Sequence, residues 1–228
     1  MKKLFSLLRR IPWWGYAAGV FYFVLQRVLY GLGAKLCVSF GMIEKAFEWK
    51  IPVIDDLFPL IPVFALPYLY CFVFWLMGPM AVSLTGKTNR KRFFYGFTLA
   101  YLIGFVFFIF VPTFMDRGKE GLLAVAEQPG LFHSLLHFIY KNDGWTVAYN
   151  LFPSYHCLIS TYCYLGVRKQ PEISKGYRVY SLIMAILTCL STLFTKQHYL
   201  PDVIGGVLIA LGCYVLMEKR IGDDCQTG

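Results

Sequence analysis

Residues 93–112 read FFYGFTLAYLIGFVFFIFVP, twenty residues without a single charge. A helix that crosses the roughly 30 Å hydrocarbon core of a bilayer needs about 20 mainly apolar residues. The stretch therefore predicts a membrane span, and KTNRKR at 87–92 predicts the water-facing end of it. Working outward, apolar stretches at 13–34 and 60–83 come before it, and shorter ones at 154–167, 179–195 and 200–217 follow. These runs are continuous and lack the period-two alternation of a transmembrane barrel. The expected fold is all-α: a polytopic membrane protein with six transmembrane helices, forming a single integral membrane domain over residues 1–228.

Composition supports that reading. The chain is 57% hydrophobic and 15% charged, against roughly 45–50% and 25% for a soluble domain. Disorder, collagen and a small disulfide scaffold are excluded by the same figures. The seven cysteines are an odd number without a CxxC pair. Cys71, Cys157, Cys163, Cys189 and Cys213 fall inside expected spans and read as packing thiols. MKKLFSLLRRIPWW at the start reads as a retained first span with Trp13 and Trp14 at the interface, because the apolar run is too long for a signal peptide and no clear cleavage site follows.

The net charge of +9 reports topology and not a nucleic-acid partner. Lys2, Lys3, Arg9 and Arg10 precede the first span. Lys87, Arg90, Lys91 and Arg92 separate the second from the third, Arg168, Lys169, Lys175 and Arg178 the fourth from the fifth, and Lys219 and Arg220 follow the sixth. Those segments hold 14 of the 22 Lys and Arg but only four acids: Glu172, Glu218, Asp223 and Asp224. Basic loops stay in the cytoplasm. Both termini are expected there, with segments 35–59, 113–153 and 195–199 on the outside of what is expected to be the cell membrane.

Ionisable groups in or beside spans are costly and are functional candidates by default. Arg117 follows the third span, His156 opens the fourth, and Lys196, His198 and Asp202 bridge the fifth and sixth. All belong to the expected outer face. Ser154 to Val167 rises only about 21 Å and Asp202 to Met217 about 24 Å, so these groups are expected below the membrane surface. A recessed polar pocket suits a lipid whose head group is polar and whose tails stay in the bilayer. Arg117 and Lys196 offer a flat fork and a point charge for phosphate. Pro153 and Ser154 mark a helix start, where backbone N–H groups favour an anion. Two His and an Asp supply a nucleophile, a proton donor and an orienting carboxylate. Asp202 lies four residues after His198, on one face if that segment is helical.

This pattern resembles the type-2 phosphatidic acid phosphatase superfamily, whose signatures are KxxxxxxRP, PSGH and SRxxxxxHxxxD. The second stands here as Pro153-Ser154-Tyr155-His156, and the third as Ser191-Thr192 followed by His198 and Asp202. The first survives as Arg117 followed by Gly118. The resemblance is strongest over 60–217. It implies that His198 attacks phosphorus to form a phosphohistidine, His156 protonates the leaving alcohol and Asp202 orients His198. Arg117, Ser154 and Tyr155 would hold phosphate, and no metal or other cofactor is implied. Phe110 and Thr192 stand where the signatures carry Lys and Arg, and Tyr155 where they carry Gly. Lys196 is the expected substitute for the missing cations.

The leading expectation is an integral membrane lipid phosphatase acting on a phosphate monoester or pyrophosphate. Phosphatidate, phosphatidylglycerophosphate and polyprenyl diphosphate are substrates that the resemblance suggests. The pattern also looks like the branch that includes inositol-phosphorylceramide and sphingomyelin synthases, which pass a phospho-head group to a lipid alcohol. A degenerate, non-enzymatic member is the third reading, opposed by the intact His156 and His198–Asp202 spacing.

Other residues carry weaker signals. Asp143 and Asn150 are candidates for the pocket rim. His133 and His137 share a helical spacing that suits a metal, but the segment reads as an amphipathic interfacial helix. Arg27 is expected to snorkel or to pair within the bundle. Pro59, Pro62 and Pro67 suit helix initiation, and Gly205 and Gly206 suit close helix packing.

Overall fold

The computed structural model describes residues 10–221. Lys2, Lys3, Arg9, Asp223 and Asp224, counted above in the basic surface, lie outside the described residues. The chain is mostly helical. The long helices are α1 (Trp13–Ser39), α3 (Ala65–Val82), α4 (Lys87–Phe110), α7 (Tyr155–Val167), α8 (Lys175–Phe194) and α9 (Leu200–Arg220), with a short α2 (Pro52–Asp55) after α1. Between α4 and α7 stand β1 (Phe114–Asp116), α5 (Leu122–Ala126), α6 (Leu131–Asn142) and β2 (Val147–Tyr149). All-α describes the bundle, and one two-stranded ribbon is added to it.

Five helices among the described residues are long and apolar enough to cross a membrane: Trp13–Ser39, Pro62–Val82, Lys87–Phe110, Lys175–Phe194 and Leu200–Arg220. The protein is an integral membrane protein of several spans. The remaining expected span, 154–167, forms α7, which has only 13 residues. Ten of them, from Tyr155 to Val167, are buried. The helix packs against α9, α8, α3 and α4. It therefore runs through the centre of the bundle and is surrounded by protein, so neither its length nor its apolarity has to match a lipid bilayer.

Two buried clusters divide the molecule. Aromatic rings of α3, α4 and α7, including Phe74, Trp75, Phe93, Phe97, Tyr101 and Tyr162, fill the bundle core. A second core under segment 111–153 gathers Met115, Leu122, Leu136, Ile139, Tyr140 and Leu151 with Tyr68 and Tyr199. In α6, Leu136, Ile139 and Tyr140 form the buried face, at the i, i+3, i+4 spacing of an amphipathic helix. Strands β1 and β2 pair antiparallel, Phe114 opposite Tyr149 and Asp116 opposite Val147. This pairing closes the segment into a cap: at one end of the ribbon the Arg117 N–H donates to the Thr146 carbonyl at 2.9 Å, and near the other the Phe152 N–H donates to the Thr113 hydroxyl at 2.9 Å.

Close helix contact brings the cap-side ends of α7 and α9 together. A Cβ on Gly206 would lie 2.4 Å from the Ser154 carbonyl oxygen, so only glycine lets α9 approach there. The Ser154 N–H then donates to the Asp202 carbonyl at 3.0 Å. At the opposite end of the bundle the basic residues collect: Arg90 lies over Trp14, Arg168 over Tyr214, and Lys169 beside Glu218 at 3.4 Å. The six cysteines among the described residues are free thiols, five of them buried.

Candidate active site

The loop between α8 and α9 is built by a helix C-terminus turning sharply. Lys196 sits in the left-handed region at φ 49°. The N–H groups of Gln197 and His198 then both bond the Thr192 carbonyl, at 2.9 and 3.2 Å. This reversal points Gln197 and His198 inward. His198 precedes α9 and is not helical, so its link to Asp202 does not come from two residues on one helix face. Asp202 is in the first turn of α9, where an acid caps free N–H groups. Its Oδ2 accepts from the Tyr199 N–H at 2.9 Å and lies 3.5 Å from His198 Nδ1. That approach is longer than a tight hydrogen bond. Asp202 is fully buried.

Ser154 caps α7, its hydroxyl accepting from the Cys157 N–H at 3.4 Å. This places His156 on the first turn. The ring is stacked on Tyr68 at 4.4 Å between centroids, lies 5.2 Å from Trp75 and 5.8 Å from His198. Trp75 is fixed by its own N–H, which donates to Ser160 at 2.8 Å. His156 Nε2 is buried without a hydrogen-bond partner among the described residues.

Both imidazoles face a cavity of about 340 Å³. Its walls are largely aromatic, including Tyr30, Tyr68, Phe72, Trp75, Phe108 and Tyr155. Gln26, Arg27, Asn142, Asp143, Asn150 and Gln197 supply the polar groups. A mostly apolar chamber with a few convergent polar groups is the usual form of a small-molecule site.

Arg117 stands behind this wall and is fully buried. Its guanidinium donates to Asp143 Oδ2 at 3.2 Å, to Gln197 Oε1 at 3.0 Å and to the Gly144 carbonyl, and lies 4.4 Å above the Tyr140 ring. Asp143 also accepts from Tyr30 at 3.1 Å. Arg117 therefore ties the cap to the His198 loop from the second row.

Several expectations change in detail. Lys196 does not line the cavity. The left-handed turn that sends its neighbours inward sends its side chain outward, and Nζ donates to the Asp55 carbonyl at 3.0 Å. Burial, with Lys50 nearby, pulls this ammonium below its ordinary value of 10.5. Tyr155 lines the cavity with its ring, but its hydroxyl donates to the Tyr101 carbonyl at 2.6 Å and is not turned to a phosphate. The Ser154 hydroxyl serves as a helix cap and is absent from the cavity wall. Asp143 and Asn150 both line the cavity, and so does Arg27, for which snorkelling or pairing was expected. Neither Phe110, largely exposed on α4, nor Thr192, bonded to the Cys189 carbonyl at 2.8 Å, supplies a charge. The His137 ring packs at a tilt against Trp145, 4.6 Å between centroids. Among the described residues no group of three metal-binding side chains forms around it or elsewhere.

Gln26 and Gln197 were missed in the sequence. A neutral amide in an apolar helix, or beside a catalytic His, carries no signature of its own.

The family model of the PAP2 superfamily matches residues 53–216. The chain belongs to the PAP2 superfamily. The matched stretch runs from α2 to the end of α9 and contains His156, His198, Asp202 and Arg117; α1 lies before it. The chain is also similar to the inositol phosphorylceramide synthase catalytic subunit aur1 of Schizosaccharomyces pombe, 27% identical over 119 residues. That stretch is 51% of this chain and 26% of the yeast protein, so the chain spans only about a quarter of this relative. No solved structure matches the chain.

Proposed function

We propose that the protein transfers the phospho-head group of a membrane phospholipid to a lipid alcohol through a phosphohistidine on His198. The observation that carries the reading is the pair of imidazoles, 5.8 Å apart, facing one buried cavity with Asp202 behind His198. Asp202 holds the Nδ1 side of His198, which leaves Nε2 to attack phosphorus. The bond from phosphorus to the lipid oxygen breaks, and His156 gives its proton to the leaving alkoxide. In the second half, His156 takes the proton of the incoming hydroxyl, that oxygen attacks phosphorus, and the P–N bond breaks. The first half leaves His156 without its proton and His198 phosphorylated, and the second half returns both to their starting state. Arg117 and Ser154 shape the phosphate end from behind the cavity wall and the Tyr155 ring from within it, while Asp143 and Asn150 form the rim.

Likeness to a synthase that makes inositol phosphorylceramide supports a lipid alcohol as acceptor, and so do the aromatic walls. Hydrolysis of a lipid phosphate monoester or pyrophosphate is the second reading. The polar rim of Asn142, Asp143 and Asn150, through which water would reach the phosphorus, favours it. The two separate cleanly. Purified protein is given a labelled phospholipid with ceramide or diacylglycerol. Label on the lipid alcohol supports transfer, free phosphate or free head-group phosphate supports hydrolysis, and full activity in His198→Ala removes both.

Six crossings form one membrane domain over 1–228 in this reading, with α7 as the protein-enclosed sixth. The basic end then faces the cytoplasm with both termini, and the site faces outward across the cell membrane. The separation of basic residues from the two histidines supports this orientation. A cysteine placed at Lys141 should react with an impermeant thiol reagent in intact cells; protection there would reverse the topology.

A further inference from the structure

The cavity holds hydrogen-bond donors that the reaction above does not use. Gln26 on α1 is 5% exposed, and its Nε2 has no partner among the described residues. Gln197 is 1% exposed, and its Nε2 is likewise unpartnered. The Gln197 amide is held in one orientation, because Arg117 and Tyr68 both donate to its Oε1, at 3.0 and 3.4 Å. The nitrogen is therefore the atom left for a ligand. Buried donors in native structures are almost always satisfied, and two in one chamber call for an acceptor that enters it.

Arg27, next to Gln26, is the one cation among the residues lining the cavity. Thirteen residues separate it from Trp14 and twelve from Ser39, about 20 and 18 Å of helix rise, so it stands near the middle of α1. Arg27 is exposed on α1 and lines the cavity, and a charge at that depth is expensive against hydrocarbon. The carboxylate of the cavity, Asp143, is engaged by Arg117 and Tyr30 and does not neutralise it. The buried cation Arg117 is itself neutralised, and the signature positions Phe110 and Thr192 carry no charge. A planar guanidinium flanked by amide N–H groups presents donors only, which suits phosphate oxygens.

We propose that Gln26 and Arg27 of α1, with Gln197, form the cradle for the non-reacting phosphate oxygens of the lipid substrate. Arg117 acts as the positioning residue that aims Gln197. The cradle deepens the reading given under Proposed function and rests on it only for phosphate as the group being bound. Two of its three members lie on a helix outside the matched residues 53–216.

Binding tests this apart from turnover. Full-length His198→Ala protein in detergent is titrated with labelled phosphatidic acid, and with diacylglycerol of the same chains as the phosphate-free control. Adding Arg27→Gln should weaken phosphatidic acid binding by about tenfold or more, the worth of one charged hydrogen bond. Gln26→Leu and Arg27→Lys should each weaken it by about threefold, as a lost neutral bond and a lost fork. Diacylglycerol binding should not change. Unchanged phosphatidic acid binding in Arg27→Gln overturns the cradle, and so does an equal loss for diacylglycerol, which would make Arg27 a wall residue. If Arg27→Gln does not elute as a single species, Arg27→Lys decides, and binding equal to the parent overturns the proposal. Turnover separates the two proposals. Activity in the otherwise unaltered protein with an unchanged KM in Arg27→Gln leaves the reaction and removes the cradle. No activity, together with Arg27-dependent binding, leaves the cradle and removes the reaction.

Discussion

The two sides of the 195–199 loop carry charge in opposite ways. On the outer side Lys50 reaches Glu120 at 2.7 Å and Asp56 at 3.0 Å. Lys196 donates to the Asp55 carbonyl, Asp55 itself accepts from the N–H groups of Ile51 and Leu200 at 2.7 Å, and Tyr199 donates to Glu48 at 2.5 Å. Every one of these groups has a partner. On the inner side His156, Gln26 and Gln197 keep buried nitrogens without hydrogen-bond partners among the described residues, and Asp143, the carboxylate that shares the cavity with Arg27, is engaged by Arg117 and Tyr30. A satisfied network fixes a loop, whereas an unsatisfied one lining a recessed cavity is arranged for a ligand. The difference teaches that charges on the two sides of one loop serve different ends: in the proposed reading the outer ones hold His198 in place and the inner donors meet the substrate.

Substitutions should sharpen that contrast. The largest expected effect is His198→Ala, which should lower phospho-transfer by about a thousandfold or more, as loss of a nucleophile does, with little change in thermal unfolding. Arg117→Met comes next. Removing one partner of a buried pair should cost about 2–3 kcal/mol of stability, at the low end because Asp143 is partly exposed. It should also release Gln197 and depress activity, and Arg117→Met with Asp143→Asn should recover part of the stability. Asp202→Asn should lower kcat by about tenfold or more while costing about 1 kcal/mol as a weakened cap. Lys196→Met should leave kcat within about threefold, since a half-exposed ion contributes little; a loss as deep as that of His198→Ala would place Lys196 at the phosphate and erase the contrast.

The smallest expected effect concerns alkaline stability. Burial pulls Lys50 down, but its bonds to Glu120 and Asp56 outweigh this and hold it above its ordinary 10.5. Its contribution is therefore present below 10.5 and lost as pH rises through the higher folded value. Lys196 is shifted the other way, so its cost is relieved as pH rises toward 10.5. Thermal unfolding followed across that range should show a shallower alkaline decline in Lys50→Met and a steeper one in Lys196→Met. Equal slopes in the two variants would mean that the outer network does not discriminate between the lysines.

Much of the site was legible because its chemistry is local. His198 and Asp202 are joined through the first turn of α9, and Ser154 and His156 through the first turn of α7, so spacing along the chain carried their geometry. Lys196 was misjudged for an equally local reason: a positive φ at one residue exchanges which neighbour faces inward, and no residue type announced it. Arg27 stood out as a charge in a span, but its place beside Gln26 and Gln197 on one cavity wall was not legible, because Gln197 is some 170 residues away and an amide within an apolar helix looks like packing.

By itself, then, the sequence determined a membrane bundle, its basic end, and the His156, His198 and Asp202 set, because bilayer thickness, charge asymmetry and helix caps act over short stretches. Tertiary structure decided three further things. It enclosed α7 in the centre of the bundle, where its thirteen residues suffice. It turned Arg117 into a support behind the wall and brought Arg27 to the front of the cavity. Those outcomes depend on which helix faces which, and that is set by packing between surfaces that share no sequence neighbourhood.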